Sequence, residues 1–206
     1  MCIKKAVKYV NKKRLELVID PKKCALLVVD VQKYFCDSKE RTYLPASKNI
    51  IPNILRLVNL WKSNGHLLIY TKHCHFGDKD LGMLGKFYSD YIKCNDGNSD
   101  IVKDFLNHNP DLVIQKNTYD AFWNTELNSF LVKNNVTQIL ITGCLTHLCC
   151  ETTARSAFVR GFEVYFTSDG TFTSSEELHN NSLLSISSGF GIVHSVDEVL
   201  GICKLR

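Results

Sequence analysis

The 206-residue sequence has little of what marks fibrous, disordered or membrane-spanning chains. Only 4 prolines and 11 glycines occur, too few for collagen-like or low-complexity architecture. No apolar run approaches the roughly 18 residues that a membrane span needs. Charges interrupt the first twenty residues, which argues against a secretory signal peptide. With 45% hydrophobic and 22% charged residues, the composition predicts a globular chain.

Several common signatures of enzyme sites are also missing. The chain contains no G-x-S-x-G motif, no Walker A loop and no G-x-G-x-x-G motif. The sequence therefore lacks the usual markers of serine hydrolases of the G-x-S-x-G type, of P-loop NTPases and of dinucleotide-binding enzymes. We predict no cofactor.

Positive charge is concentrated at the N-terminus. Residues 1–23 hold eight basic and two acidic side chains, whereas the whole chain has a net charge of only +4. The rest of the chain is therefore close to neutral, which does not favour binding to nucleic acid. We predict a basic N-terminal arm over residues 1–22 and a single domain over residues 23–206.

Cysteine, in contrast, is abundant. Nine cysteines occur, an odd number with irregular spacing. Without a visible signal peptide, this pattern favours reduced thiols in a cytoplasmic protein over a disulfide scaffold. Most of these thiols are expected to be small buried groups.

Continuous apolar runs alternate with helical patterns along the chain. The apolar runs cover residues 25–29, 67–70, 112–114, 139–141, 164–166 and 191–193, and helical spacing covers 51–61, 127–131, 148–160 and 178–188. Continuous runs are typical of parallel strands that are covered on both faces. We predict a single α/β Rossmann-like domain, with a mostly parallel six-stranded sheet in the order 3-2-1-4-5-6 and helices on both faces.

Three chemically distinctive side chains lie at the ends of these elements. Asp30 and Lys116 end apolar runs, and Cys149 begins a predicted helix after a glycine-containing loop. Ligands of parallel sheets bind outside the carboxyl ends of the strands, so the fold would bring the three together. A thiol at a helix N-terminus beside a carboxylate and an ammonium suits nucleophilic catalysis. From spacing alone, Cys150 is an equal candidate for the nucleophile. Each residue also has an ordinary structural interpretation: capping for Asp30, solvent exposure for Lys116 and core packing for the cysteine.

The same region allows other interpretations. Cys144, His147, Cys149 and Cys150 carry zinc-type ligands, but their spacing matches no familiar zinc motif. His147 could act as a base for Cys149, although side chains two residues apart diverge near a helix start. The adjacent cysteines also leave open a non-catalytic redox role.

Three motifs resemble the isochorismatase-like cysteine hydrolase family. Residues 25–35, ALLVVDVQKYF, resemble its A-L-L-V-[IV]-D-[MV]-Q-x-x-F pattern, and residues 115–122, QKNTYDAF, resemble K-x-x-[YF]-[SD]-A-F. Residues 141–164, ITGCLTHLCCETTARSAFVRGFEV, resemble T-G-x-x-T-x-x-C-V-x-x-T-A-R-x-A followed by G-[YF]-x-V. The motifs occur in the family's order, and the resemblance extends from about residue 23 to about residue 200.

This resemblance implies roles for individual residues. It gives Asp30 as general base, Lys116 as its electrostatic partner and Cys149 as nucleophile, because Cys150 stands where the family usually has valine. The implied reaction is hydrolysis of a C–N bond in a small amide, ureide or carbamoyl compound through a thioester. An isochorismatase-type reaction on a vinyl ether is the alternative, and retention of Cys149 favours the amidase.

The resemblance also implies a backbone arrangement in the loop before the nucleophile. A cis peptide would join Cys144 and Leu145, and the N–H groups of Leu145 and Cys149 would form an oxyanion hole. Phe35, Phe122 and Trp123 are candidate substrate-binding residues, with core packing as the other interpretation.

Metal binding and assembly are further expectations from the resemblance. Nicotinamidases of the family carry a metal site built on Asp-x-His, whereas residues 71–75 here read TKHCH. The missing carboxylate argues against such a metal at His73 or His75 and against nicotinamide as substrate. Residues 80–88 resemble the isochorismatase and ureide-hydrolase branches, which lack that metal. We predict a cytoplasmic homo-oligomer, a dimer or tetramer, that acts on a small molecule without a membrane partner.

Overall fold

A computed structural model describes residues 17–204, and at its centre lies a six-stranded sheet in the order β3-β2-β1-β4-β5-β6. The strands are β1 Cys24–Val29, β2 Leu68–His73, β3 Leu112–Lys116, β4 Gln138–Cys144, β5 Glu163–Phe172 and β6 Ile192–His194. All neighbouring strands pair in parallel. Each strand contains one of the predicted apolar runs in whole or in large part, and the α/β class and the strand order are confirmed.

Helices connect the strands. The α-helices are α1 Lys33–Cys36, α2 Ser47–Ser63, α3 Leu84–Phe87, α4 Lys103–Leu106, α5 Leu127–Lys133, α6 Glu151–Val159, α7 Glu176–Gly189 and α8 Val196–Lys204. A π-helical turn over Thr146–Cys150 leads into α6, and 3-10 turns cover Asp78–Asp80 and Gly97–Ser99. The predicted helical patterns correspond to α2, α5, the π-helical turn with α6, and α7.

The core lies on both faces of the sheet. Successive residues of β1 point to opposite faces and all are buried. Ala25 and Leu27 pack in a cluster with α5, α6 and α7, whereas Leu26 and Val28 pack in a second cluster with α2 and α8. Burial on both sides explains why β1 is a continuous apolar run.

The predicted arm falls mostly on residues 1–16, which lie outside the described residues. Its last part, residues 17–22, packs against the domain. Ile19 is fully buried, and the Asp20 N–H donates to the side-chain oxygen of Gln138 at 2.7 Å. Among residues 17–204, no helix is long and apolar enough to cross a membrane.

A disulfide bond corrects the expectation of reduced thiols for one pair of cysteines. Cys74 follows β2 directly and is bonded to Cys94, 20 residues later. Residues 75–93, here called the wall segment, are therefore closed into a loop. Two backbone hydrogen bonds close it further, from the His75 N–H to the Ile92 carbonyl at 2.8 Å and from the Cys94 N–H to the His75 carbonyl at 3.0 Å. The irregular spacing gave no sign of the pairing, because tertiary folding brings the two cysteines together.

Candidate active site

Asp30 lies immediately after β1 and is completely buried. Its φ of 49° is in the left-handed region, which aspartate adopts more readily than most residues. The Thr71 hydroxyl donates to Asp30 Oδ1 at 2.6 Å and accepts from the Asp30 N–H at 3.1 Å. Since both hydrogen bonds come from the neighbouring strand β2, the carboxylate is held in one orientation.

Lys116 ends β3, and its side chain is also fully buried. Its Nζ lies 2.7 Å from Asp30 Oδ2, 3.3 Å from Cys149 Sγ and 3.0 Å from the Thr118 carbonyl oxygen. A buried ammonium is tolerated when it is paired with a counter-charge and hydrogen-bonded. Lys116 therefore connects the carboxylate of β1 to the thiol that follows β4.

The loop after β4 sets the position of Cys149. Gly143 has a φ of 111°, and a Cβ there would lie 2.1 Å from the Val29 carbonyl oxygen, so only glycine fits. The peptide bond between Cys144 and Leu145 is cis. The π-helical turn follows, and it places Cys149, 6% exposed, at the edge of a cavity.

The three side chains form one electrostatic unit. Burial is the largest influence on Asp30 and raises its pKa, but the Lys116 ammonium, His73 and the Thr71 hydrogen bond together outweigh burial and hold that pKa below its usual value. Burial is the largest influence on Lys116 and lowers its pKa, but the Asp30 carboxylate and Cys149 together more than reverse this, so the pKa of Lys116 is raised. Burial raises the pKa of the Cys149 thiol to about 12, although Lys116 acts to lower it. The resting site is therefore an ion pair beside a protonated thiol.

The cavity at Cys149 has a volume of about 210 Å³. Its lining comprises Tyr34, Phe35, Thr42, His73, His75, Leu84, Tyr88, Asp90, Tyr91, Ile92, Tyr119, Leu145, Leu148 and Cys149. Six of these belong to the wall segment, which therefore forms one side of the cavity. The small volume and the mainly aromatic and apolar lining suit a small ligand with a flat or apolar body.

Known proteins resemble this chain over most of its length. A family model for the isochorismatase domain matches residues 24–198. This chain belongs to the isochorismatase family. Nicotinamidase 3 of Arabidopsis thaliana is 36% identical over 197 residues, 93% of either chain. A probable inactive nicotinamidase of the same plant is 30% identical over 170 residues, 79% of this chain and 87% of that relative.

A solved structure supports the same assignment. The cysteine hydrolase from Pseudomonas syringae pv. phaseolicola 1448A superposes with a TM-score of 0.87 at 26% identity, covering 92% of this chain and 96% of its own. The family resemblance noted in the sequence is thus confirmed, and the chain is a hydrolase of the isochorismatase family.

The structure brings the catalytic candidates of this isochorismatase-family chain together and separates the aromatic ones. Asp30, Lys116 and Cys149 meet at the carboxyl edge of the sheet, and Phe35 lines the cavity. Phe122 instead belongs to the core, 5% exposed, where it stacks on a neighbouring ring. Trp123 is 59% exposed and does not line the cavity. The positions of these last two residues do not support a role in substrate binding.

The other candidates of the nucleophile loop have separate surroundings. Cys150 is fully buried, with its Sγ directed to the Thr142 carbonyl oxygen at 4.0 Å. His147 is hydrogen-bonded through Nδ1 to the Thr173 hydroxyl at 2.8 Å. Among residues 17–204, the set of Cys144, His147, Cys149 and Cys150 does not converge as metal ligands.

A different group does have ligand-type atoms close together. Atoms of Asp30, His73 and Cys149 lie within 4.8 Å of one another. The Lys116 ammonium, however, lies 2.7, 3.4 and 3.3 Å from these three residues respectively. The lysine thus takes the place that a cation would occupy, so this group does not fit a metal ion.

The histidines of the TKHCH stretch form a second potential donor set. The Nε2 atoms of His73 and His75 are 3.1 Å apart, but a stable site needs further converging ligands. Thr71 stands where the Asp-x-His motif has its carboxylate, and its hydroxyl is bound to Asp30. Asp80 approaches the opposite ring nitrogen of His75, Nδ1, at 3.4 Å. The donors described at this pair therefore do not fit the family's metal.

Proposed function

We propose that this chain is a cysteine hydrolase that cleaves the C–N bond of a small amide, ureide or carbamoyl compound through a thioester. The proposal rests on one observation above all. The Sγ of Cys149, beside a cavity, lies 3.3 Å from a buried ammonium that is itself paired with a carboxylate. This is a nucleophile with a base and an electrostatic partner in reach.

Asp30 is the general base in this proposal. The thiol passes its proton to the Asp30 carboxylate as the sulfur attacks the carbonyl carbon, and Lys116 stabilises the negative charge that develops on the sulfur. The tetrahedral oxyanion accepts hydrogen bonds from the Leu145 and Cys149 N–H groups. The C–N bond then breaks, and the amine leaves with the proton held by Asp30. Water, deprotonated by Asp30, hydrolyses the thioester and regenerates the thiol.

The cavity narrows the substrate class. Its aromatic side chains suit a flat, small amide, and Asp90 is the carboxylate among its lining residues. The similar Arabidopsis protein is named a nicotinamidase, so nicotinamide belongs in any substrate panel even though the Asp-x-His motif is missing here. Lys116 is already paired with Asp30 and is therefore not available to bind a carboxylate of the substrate. We infer that the substrate is a small amide without a carboxylate.

Ammonia release from a panel of small amides, ureides and carbamoyl compounds tests the proposal. Cys149→Ala should lower kcat by at least about 10³-fold, because no second thiol lines the cavity that the described residues form. Cys150→Val, which replaces a buried thiol with the residue usual in the family, is the matched control and should keep most of the activity. A mass increase on Cys149 equal to the acyl group should appear after rapid quenching.

Two results would overturn this function. One is hydrolysis that survives Cys149→Ala, which would exclude the thioester. The other is hydrolysis of vinyl ethers with no reaction on any amide, which would favour the isochorismatase-type alternative. The homo-oligomeric state and the cytoplasmic location stay predictions, testable by sedimentation of the purified chain and by microscopy of the tagged protein.

A further inference from the structure

A chain of polar contacts leads from the active site to the wall segment. Lys116 Nζ lies 3.4 Å from His73 Nδ1, and His73 Nε2 lies 3.1 Å from His75 Nε2. His75 Nδ1 then lies 3.3 Å from the Asp80 carbonyl oxygen and 3.4 Å from Asp80 Oδ1. Both rings are buried. The mechanism proposed above uses neither histidine, so their arrangement needs an explanation of its own.

The lysine determines which nitrogen of His73 carries the proton. An ammonium only donates hydrogen bonds, so we assign Nδ1, the atom facing Lys116, as the acceptor; the Thr118 carbonyl oxygen, which also interacts with the His73 ring, already accepts from Lys116 Nζ at 3.0 Å. Burial lowers the pKa of His73 to about 3, and the nearby Lys116 charge acts in the same direction, so the ring is neutral near pH 7. A neutral imidazole has one N–H, which is therefore at Nε2.

The position of the proton on His73 in turn determines the tautomer of His75. Because His73 Nε2–H donates, His75 Nε2 accepts, and the proton of His75 is on Nδ1. That proton is directed to Asp80, whose carbonyl and carboxylate oxygens are both within 3.4 Å. Asp80 is itself fixed, since its carboxylate accepts from the Phe76 N–H at 3.0 Å. Each ring N–H of the two histidines thus has an acceptor.

The backbone of His75 is fixed independently of these side-chain interactions. The Cys74–Cys94 disulfide lies next to it, and its N–H and carbonyl group are both hydrogen-bonded across the wall segment. Because the backbone of His75 is fixed without help from His73, the His75 ring is suited to orient the His73 ring.

We propose that His75 is a positioning residue: by accepting from His73 Nε2–H it selects the tautomer whose Nδ1 accepts from Lys116, and so keeps the ammonium between Asp30 and Cys149. In the opposite tautomer, an N–H of His73 would face the ammonium and repel it. The two histidines thus form a hydrogen-bonded support where nicotinamidases of the family have a metal. This inference rests on the proposed function only in assigning Lys116 its role toward the thiol.

Alkylation of Cys149 by iodoacetamide, followed by peptide mass mapping, tests the inference without any substrate. The titratable groups near Cys149 are Asp30, Lys116, His73, Tyr119, Cys144 and Cys150. His75→Leu removes the acceptor, whereas His75→Gln offers a side-chain oxygen near the place of Nε2. In His75→Leu the pH midpoint of alkylation should rise and the rate near neutral pH should fall about tenfold. His75→Gln should stay close to wild type.

The pH profile separates positioning from blocked access. A change in cavity shape scales the rate at every pH, whereas a displaced ammonium moves the midpoint. Overlapping midpoints for His75→Leu and wild type would overturn the inference, and so would equal shifts in the leucine and glutamine variants. Stoichiometric zinc, iron or manganese in the purified wild type, lost in His75→Leu, would also overturn it.

Failure of the positioning role can be distinguished from failure of the proposed function. If no amide is hydrolysed but the alkylation midpoint shifts in His75→Leu alone, the positioning role stands and the substrate assignment fails. If Cys149-dependent amide hydrolysis is found while kcat and KM of His75→Leu match wild type and its alkylation midpoint does not move, the positioning role fails alone.

Discussion

Lys116 keeps its charge in a fully buried position because its neighbours supply acceptors on several sides. The Asp30 carboxylate, the Thr118 carbonyl oxygen and His73 Nδ1 are all within 3.4 Å of its Nζ. The motifs predicted that Asp30, Lys116 and Cys149 belong together, because each follows a recognisable apolar run or loop. The role of His73 could not be predicted, since its protonation state depends on neighbours from β3 and from the wall segment.

The depressed pKa of His73 predicts an effect on stability. Its pKa is lowered to about 3 in the folded chain from 6.5, so between these values the unfolded chain binds the extra proton. Stability from this residue is present above pH 6.5 and is lost as the pH falls toward 3. The wild type should lose about 1–2 kcal/mol more free energy of unfolding between pH 7 and pH 5 than His73→Asn.

Urea unfolding at the two pH values measures this difference. Each protein serves as its own reference, so any effect of the substitution that does not depend on pH cancels from the comparison. Identical losses in the wild type and in His73→Asn would show that the histidine is already protonated at pH 5 in the folded chain.

At the scale of elements, the loop between β4 and the π-helical turn sets where Cys149, the proposed nucleophile, lies. β1 pairs with β4 over its whole length, and Gly143 faces Val29 at the end of the pairing. The strands and their parallel order could be predicted, because runs buried on both faces have a clear pattern. The wall segment could not, since it contains only short helical turns without periodicity.

Gly143→Ala should be strongly destabilising. Its Cβ would lie 2.1 Å from the Val29 carbonyl oxygen at a φ of 111°, so the two strands would have to separate. We expect a loss of more than about 3 kcal/mol of unfolding free energy, or failure to fold. Gly201→Ala in α8, with no heavy atom within 4 Å of the new Cβ, is the control and should stabilise by about 0.5–1 kcal/mol. Equal thermal midpoints for the two variants would contradict this account.

At the scale of the whole molecule, the described part of the chain combines a regular sheet with a cross-linked irregular segment. The disulfide joins Cys74, at the end of β2, to Cys94 beyond the wall segment, and this long-range pairing had no sequence signal. Phe122 and Trp123 illustrate the same limit, because aromatic type does not say whether a side chain faces core, cavity or solvent. Local sequence patterns predicted the helices and strands, whereas tertiary folding determines which residues line the cavity.

The cross-link should contribute to global stability. A loop of 20 residues corresponds to about 3 kcal/mol of lost entropy in the unfolded chain. Cys94→Ala should lower the free energy of unfolding by that order. Reductant should destabilise the wild type to a similar extent and leave the variant unchanged. A wild type whose unfolding curve does not respond to reductant would contradict the prediction, and mass mapping under non-reducing conditions identifies the bond directly.

The residues proposed for catalysis and many of those that line the cavity come from separate parts of the chain, which has a consequence for engineering. The groups that would perform the chemistry come from the strand ends and the nucleophile loop, whereas six of the lining residues come from a single stretch that is pinned at its two ends. We therefore expect that the wall segment can be exchanged between homologues if Cys74, Cys94 and His75 are kept. Selectivity would then be transplanted while the reactive machinery stays untouched.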